Sequence, residues 1–500
     1  MTKKVKKRKL LSPIITMLIL IVVALIVSSL FAIFNVDGTQ TTIENGILEN
    51  SIIVVRNIFS KEGLSHFFSN VITNFNLLQP FVLILLSLMA ISVAKESGLL
   101  KHLFSPLKKL RSNVLTFIVI FISVIASIIG DYSYIILIPL VAILYQYINK
   151  SPILGIITVF LGITLGYGTG LFYNYNDYAL GMLTEAAAII DVDSTYHFSL
   201  YSNLYIMIAS TFAISFLLTW LVEKFLSKKV TSTTKYEDEI LTSNKALIGS
   251  IIALLICLAG IVLMILPNGI LLDSTQTHYV AKLFSPTSPF NLSFMFLFLI
   301  VIAIISLVYG FISKNFKNNH DFSWAFTKDL NNIGYLFILM FLSSILIGII
   351  DWTNLGVVVA SKLVDLISLF DFTGIILIVI SFIFIIVMSI LIPGSIEKWA
   401  LISPVLVPLF MRGNLTPDFA QFVFKAADSV GKVITPLFIF FIITVGFIQK
   451  YNTNENKITL FNTMKLIWPI VLMMIIMWLL ILIVWYVAGL PLGLGTLATM

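Results

Sequence analysis

Cysteine and charge are what this 500-residue chain has least of. Its one cysteine, Cys257, lies inside an apolar run, which excludes a disulfide framework and a thiolate metal site. The five histidines, His66, His102, His197, His278 and His320, are scattered without ligand spacing, so metal catalysis has no residues to stand on. No Walker A motif is present to cradle the phosphates of ATP. Asp, Glu, Lys and Arg make up 11% of the residues, where a soluble domain carries about a quarter. Water therefore cannot be the main solvent for this fold. The alternation in about 10-residue segments that marks an outer-membrane barrel is missing as well.

What the chain does have is apolar length. It is 59% hydrophobic with a mean hydropathy of +1.04, and runs of about 20 apolar residues, enough for a helix to cross a bilayer, recur throughout. We read full spans at about 11–34, 77–95, 153–174, 203–226, 246–267, 288–313, 332–350, 417–448 and 464–489. Two further apolar stretches, 113–148 and 372–411, are too long for one span and are interrupted by glycine and polar residues. Each fits a re-entrant hairpin. The basic segment KKVKKRK (3–9) before the first run resembles a signal peptide, but the run is too long and no small-residue cleavage site follows. It reads as a retained span with a cytoplasmic N-terminus.

The formal charge of +7 is not a nucleic-acid footprint, because the basic residues sit in short loops at span ends. With both hairpins re-entrant, the segments 3–9, 95–111, Lys150, 224–245, 314–328 and 450–465 fall inside and hold 23 of the 31 Lys and Arg. Only Arg56, Lys61, Lys282, Lys362 and Arg412 fall outside. Counting either hairpin as a span destroys this asymmetry, so the positive-inside rule favours nine transmembrane helices plus two opposed hairpins in an all-α polytopic protein of the inner membrane. The hairpins echo each other: SIIGDYSYIILIPL (127–140) against SILIPGSIEKWALISPVLVPL (389–409). Ser151-Pro152 and Thr416-Pro417 follow at nearly equal distances. An opposite-facing repeat is the mark of an inverted-repeat secondary transporter, with its site where the repeats meet. The organisation expected is a first span and outer loop (1–76), a first repeat (77–226) with a cytoplasmic-side hairpin, a cytoplasmic linker (227–245), and a second repeat (246–500) with an outer-side hairpin.

Four breaks place non-helical backbone at membrane depth: Gly130-Asp131, the run GYGTG (166–170), Pro393-Gly394-Ser395, and Gly431 to Pro436. Such backbone survives there only against protein or a water-filled cavity, and it coordinates a cation or a carboxylate, or else it is a packing kink. In the last break Lys425, Asp428 and Lys432 share one helical face. Intramembrane charges are costly unless paired and mark function by default. Asp428 lies within a turn of both lysines, and Pro436 frees the carbonyl of Lys432. An unpaired lysine beside such a break suits an anionic substrate; a structural ion-pair network is the alternative. Glu397 and Lys398 at the second hairpin tip carry the same ambiguity, with Lys398 free to snorkel. Trp399 either stacks on a substrate ring or packs. Asp177 follows the third-span break and is placed to titrate or bind a cation, while Glu185 reads equally as a solvated loop residue.

These residues resemble the aminobenzoyl-glutamate transporter (AbgT) family over nearly the full chain. The likeness rests on NDYALGMLTEAAAIID (176–191) with YSNLYIMIASTF after it, GSIEKWALISPVLVPLF (394–410), TPDFAQFVFKAADSVGKVITPL (416–437) and YVAGLPLGLG (486–495). The resemblance implies nine transmembrane helices with two opposed hairpins in a homodimer, and transport of aminobenzoyl-glutamate or a related aromatic amide coupled to sodium or protons. It also implies sulfonamide efflux for some members. Carried over by position, its site residues are Asp177 (or Asn176), Trp399, Pro417, Lys425, Asp428 and Pro436. The family usually has arginine at Lys425, and its usual serine falls on Ile396 with Ser395 adjacent. The expectation is thus a transporter and not an enzyme. It binds a small organic anion through Ser395, Trp399, Pro417, Lys425, Asp428 and Pro436, and couples through Asp177 or Asp428. The hairpin tips are Gly130, Asp131 and Gly394. A dicarboxylate or short-chain carboxylate carrier of the same architecture is the nearest rival. A membrane enzyme or lipid-handling protein is the rival from another class, and no catalytic constellation supports it.

Overall fold

The computed structural model describes residues 11–500 except 45–46, 79, 192–194, 231–239, 286, 332, 370–371 and 453–457. The basic segment 3–9 and most of the 227–245 linker lie outside the described residues.

The chain is mostly helical, and among the described residues ten helices are long and apolar enough to cross a membrane. Two of them, Ser112–Ile129 and Gly374–Leu391, are the first arms of the two interrupted stretches. The helix Asn244–Ile265 has 6% of its apolar window buried, against 78% for Pro417–Lys450. The first therefore faces hydrocarbon, the solvent that an exposed Ile248, Ile251, Leu255 and Leu263 require. The second lies at the centre of the molecule.

Both interrupted stretches return to where they began. In the first, helix Ser112–Ile125 passes through a 3₁₀ turn, Ala126–Ile129, to Gly130 and then helix Tyr132–Tyr147. Lys150 Nζ, beyond its end, donates to Ser112 Oγ at its start (2.6 Å). In the second, Gly374–Leu391 is followed by Ser395–Arg412, and the Cα of Gly413 packs against Leu377, with room for a Cβ only 3.0 Å from its Cδ2. Gly130 has φ +57°, a conformation that favours glycine at this turn.

Two spans are shorter than their sequence suggests. The third ends at Leu165, because the glycines of GYGTG leave the helix and Gly170 takes φ +157°. Its remaining turn is held by Thr169 N to Gly166 O (2.9 Å) and Gly170 N to Thr211 Oγ1 (3.0 Å). The eighth splits into Pro417–Gly431, a 3₁₀ turn Lys432–Ile434, and Ile439–Lys450. Pro436 has no amide to donate and pushes Thr435 into extended backbone, observed at φ −106°, ψ 130°.

The all-helical expectation needs one correction. The outer loop contains an antiparallel strand pair, Asp37–Glu44 with Ile47–Val54, built from threonines and β-branched residues that favour extended backbone. The pair clasps helix Leu355–Ser368: Lys362 Nζ meets Asp37 Oδ1 at 3.2 Å, and Gly38 lies so close to Ser361 that a Cβ would sit 1.9 Å from its hydroxyl. Between the strands, that helix and the second hairpin's Leu401 and Val405 lies a polar-lined cavity of about 280 Å³.

At the opposite pole, Asp329 receives Lys95 (3.1 Å) and Lys450 (3.5 Å), and Lys328 meets Glu96 (2.5 Å). The tail after helix Leu460–Val487 runs back over the centre, with Thr416 N donating to Ala498 O and Tyr205 N to Leu492 O. Gly493 fits there because a side chain would begin 1.9 Å from the Tyr201 carbonyl oxygen.

Candidate functional site

The helix Pro417–Gly431 is buried along its whole length. Thr416 caps it, accepting from Phe419 N, and Pro417 takes the first helical position, where no amide is needed. Its face carries Lys425, Asp428 and, just past the last turn, Lys432. Burying these groups is tolerable only with partners, and each has one.

Asp428 is the most heavily engaged. Its Oδ1 accepts from Ser389 Oγ (2.8 Å) and the Lys398 ammonium, and its Oδ2 from Ser395 Oγ (2.6 Å) and Lys432 (2.7 Å). Lys398 also donates to the Ile392 carbonyl (2.8 Å), which the break at Pro393 leaves open. Lys432 bonds Ser395 Oγ and stands 4.0 Å from the centre of the Tyr167 ring. The second hairpin tip is thus bound to the broken helix through Ser395 and Lys398.

Lys425 pairs elsewhere. Its ammonium meets Asp177 Oδ1, with Met207 Sδ 3.8 Å away. Asp177 is positioned by a capping box at the start of helix Tyr175–Asp191. Its amide donates to Asn174 Oδ1 (3.0 Å), and its Oδ2 accepts from Asn174 N (3.2 Å). Asn174 Nδ2 reaches on to Ser127 O in the first hairpin's turn (2.9 Å). Of the neighbouring Asn176 and Asp177, it is Asp177 that faces the charged helix.

Several expectations change. Lys425, expected to meet the substrate's anion or to balance Asp428, is held by Asp177 instead. Lys398 does not snorkel: it is wholly buried against Asp428. Glu185 lies on a helix and accepts from Phe198 N (2.8 Å), with His197 beside it (3.3 Å). Trp399 is also fully buried, its Nε1 donating to Thr184 Oγ1 (2.9 Å) and its ring against Phe424 at 4.5 Å. Pro436 sits in the break without entering the charge network. At the tips, Asp131 and Glu397 are exposed, and among the described residues no hydrogen bond or ion pair is recorded for either carboxylate. Lys432 and Glu397 are the charged groups that act on Asp131. Gly394 lets the Glu397 carboxylate fold back over the tip, where a Cβ would meet it at 2.2 Å. Ser389, Thr184, Gln421 and Tyr167 complete the surroundings. Of these only Tyr167 carried a sequence signal, its place in GYGTG.

The AbgT putative transporter family model matches residues 4–500. The chain belongs to this family. It is 27% identical to the p-aminobenzoyl-glutamate transport protein of Escherichia coli, over 97% of this chain and 93% of that one. Among solved structures it resembles Neisseria gonorrhoeae MtrF, described as illuminating a class of antimetabolite efflux pumps, at 24% identity and a TM-score of 0.50 over 98% of each chain. Alcanivorax borkumensis YdaH matches at 24% identity and a TM-score of 0.49, over 96% of this chain and 99% of that one. These AbgT relatives are transport proteins and not enzymes. The chain is accordingly a multi-pass membrane transporter.

Proposed function

We propose that this AbgT transporter moves a small organic anion, p-aminobenzoyl-glutamate or a related aromatic amide, by secondary active transport coupled to a proton or sodium gradient. One observation carries the reading. Lys398, Lys425, Lys432, Asp177 and Asp428 are each no more than 6% exposed. They form two buried groups beside the breaks. Lys425 balances Asp177, while Lys398 and Lys432 share Asp428 and leave a surplus of one positive charge, which the hairpin-tip carboxylates of Asp131 and Glu397 offset only from the edge. In a low-dielectric site that surplus favours one negative charge on the ligand. Asp177 and Asp428, each held by lysine at the edge of a helix break, are the candidates for coupling.

The architecture supports a nine-span, two-hairpin topology with a cytoplasmic N-terminus. Segments assigned to one side meet one another: Lys95, Asp329 and Lys450 at one pole, Asp37 and Lys362 at the other. The ends of both interrupted stretches lie side by side. In this reading 77–226 and 246–500 are opposed repeats joined by the 227–245 linker, in a homodimer.

The test is uptake by proteoliposomes of p-aminobenzoyl-glutamate and its uncharged diamide, under imposed pH or sodium gradients. Accumulation of the acid above equilibrium, driven by one gradient and not matched by the diamide, is expected. Equal handling of both, or no response to either gradient, would overturn the reading.

A further inference from the structure

The three buried lysines are not equivalent, because withdrawing each leaves a different residue behind. If Lys425 moved, Asp177 Oδ1 would lose its ammonium, and its carboxylate would keep the Asn174 amide on Oδ2. Lys398 is enclosed between Asp428 and the Ile392 carbonyl, with no exposed surface. Lys432 differs. When it leaves, Asp428 still has Lys398 and Ser389 on one oxygen and Ser395 on the other. The carboxylate stays neutralised, so only this lysine exchanges its partner without stranding a buried charge.

A second observation lies beside it. Tyr167, in the GYGTG break, lies with its ring centre 4.0 Å from the Lys432 ammonium, a cation–π contact that holds the amine whichever anion it serves. Its hydroxyl is buried and turned toward Ser395 without a hydrogen bond of good geometry. A buried donor without a well-placed acceptor is costly, and the fold gains nothing visible from it here. An ammonium that can change partner and a hydroxyl with no well-formed bond thus sit together where the third-span break meets the second hairpin tip.

We propose that Lys432 and the Tyr167 hydroxyl form a carboxylate-binding subsite. The ligand's carboxylate replaces Asp428 Oδ2 on Lys432 and accepts from Tyr167 Oη, while Lys398 keeps Asp428 neutral. Lys425 remains a structural partner of Asp177. The assignment rests on the organic-anion reading above and names the group that recognises the anion.

Calorimetry on detergent-solubilised protein, with p-aminobenzoyl-glutamate and its diamide as probes, separates the possibilities. Tyr167→Phe keeps the ring under the amine and removes a hydroxyl whose neighbour Ser395 retains its bonds to Asp428 and Lys432, so it decides the question even where Lys432→Gln fails to fold. Each variant is expected to weaken binding of the acid by roughly ten- to a hundredfold, the range for a hydrogen bond to a charged group, and to leave the diamide unchanged. Wild-type affinity for the acid in Tyr167→Phe, or equal loss for acid and diamide in Lys432→Gln, would overturn the subsite and leave the anion reading standing. A wild-type protein that does not prefer the acid removes both.

Discussion

Lys425 and Asp177 stand 248 residues apart in the sequence and form a buried ion pair between the two halves of the chain. Asp177 belongs to the helix after the third-span break and Lys425 to the helix before the eighth-span break. The pair fixes the distance between the two interruptions.

Removing one partner should therefore destabilise the protein. Lys425→Gln and Asp177→Asn are each expected to cost about 3–5 kcal/mol, the range for leaving one buried charge uncompensated, and the double variant less than their sum. Denaturation of the purified protein in detergent measures this. Additive losses would show that the two side chains do not meet.

Asp428→Asn leaves Lys398 and Lys432 facing each other without a carboxylate between them. Gradient-driven accumulation is expected to vanish, and stability to fall by a similar amount. Adding Lys432→Gln should restore much of the stability by removing the surplus charge, but not the accumulation. Normal concentrative uptake by both Asp177→Asn and Asp428→Asn would remove carboxylates from the coupling step.

Trp399 offers a cleaner distinction between packing and stacking on a ligand. Its indole is fully enclosed and donates to Thr184. Trp399→Phe should cost about 1 kcal/mol for the lost hydrogen bond, and Trp399→Ala about 3–5 for the cavity. Ligand affinity in the Phe variant should match wild type. A large affinity loss with unchanged melting would place the ring on the substrate.

Sidedness is checked by single cysteines on a Cys257→Ala background. Positions 109 and 229 should react only from the cytoplasm and 275 only from outside. Labelling of 229 from outside would invert the topology.

The sequence carried the large features well because their physics is local. Apolar run length located most of the long helices, and proline with glycine marked all four breaks. Partner choice was not legible. Lys425 and Asp428 are three residues apart on one face, yet Lys425 takes Asp177, because the capping box with Asn174 aims that carboxylate across the interface. Ser389 and Thr184 were missed for the same reason: hydroxyls in apolar helices carry no periodic signal. The strands Asp37–Glu44 and Ile47–Val54 leave no mark in hydropathy, although Asn45-Gly46 between β-branched runs is a hairpin signal in the sequence.

That strand pair has a mechanical consequence. It is clasped to Leu355–Ser368 by Asp37–Lys362 and by the Gly38–Ser361 contact, and it borders the same cavity as Leu401 and Val405 of the second hairpin. Displacing Ser395–Arg412 toward the strands must either compress the 280 Å³ cavity or lift the strands and strain their clasp. The strand pair thus limits the room beside the second hairpin at a distance from the charges at its tip.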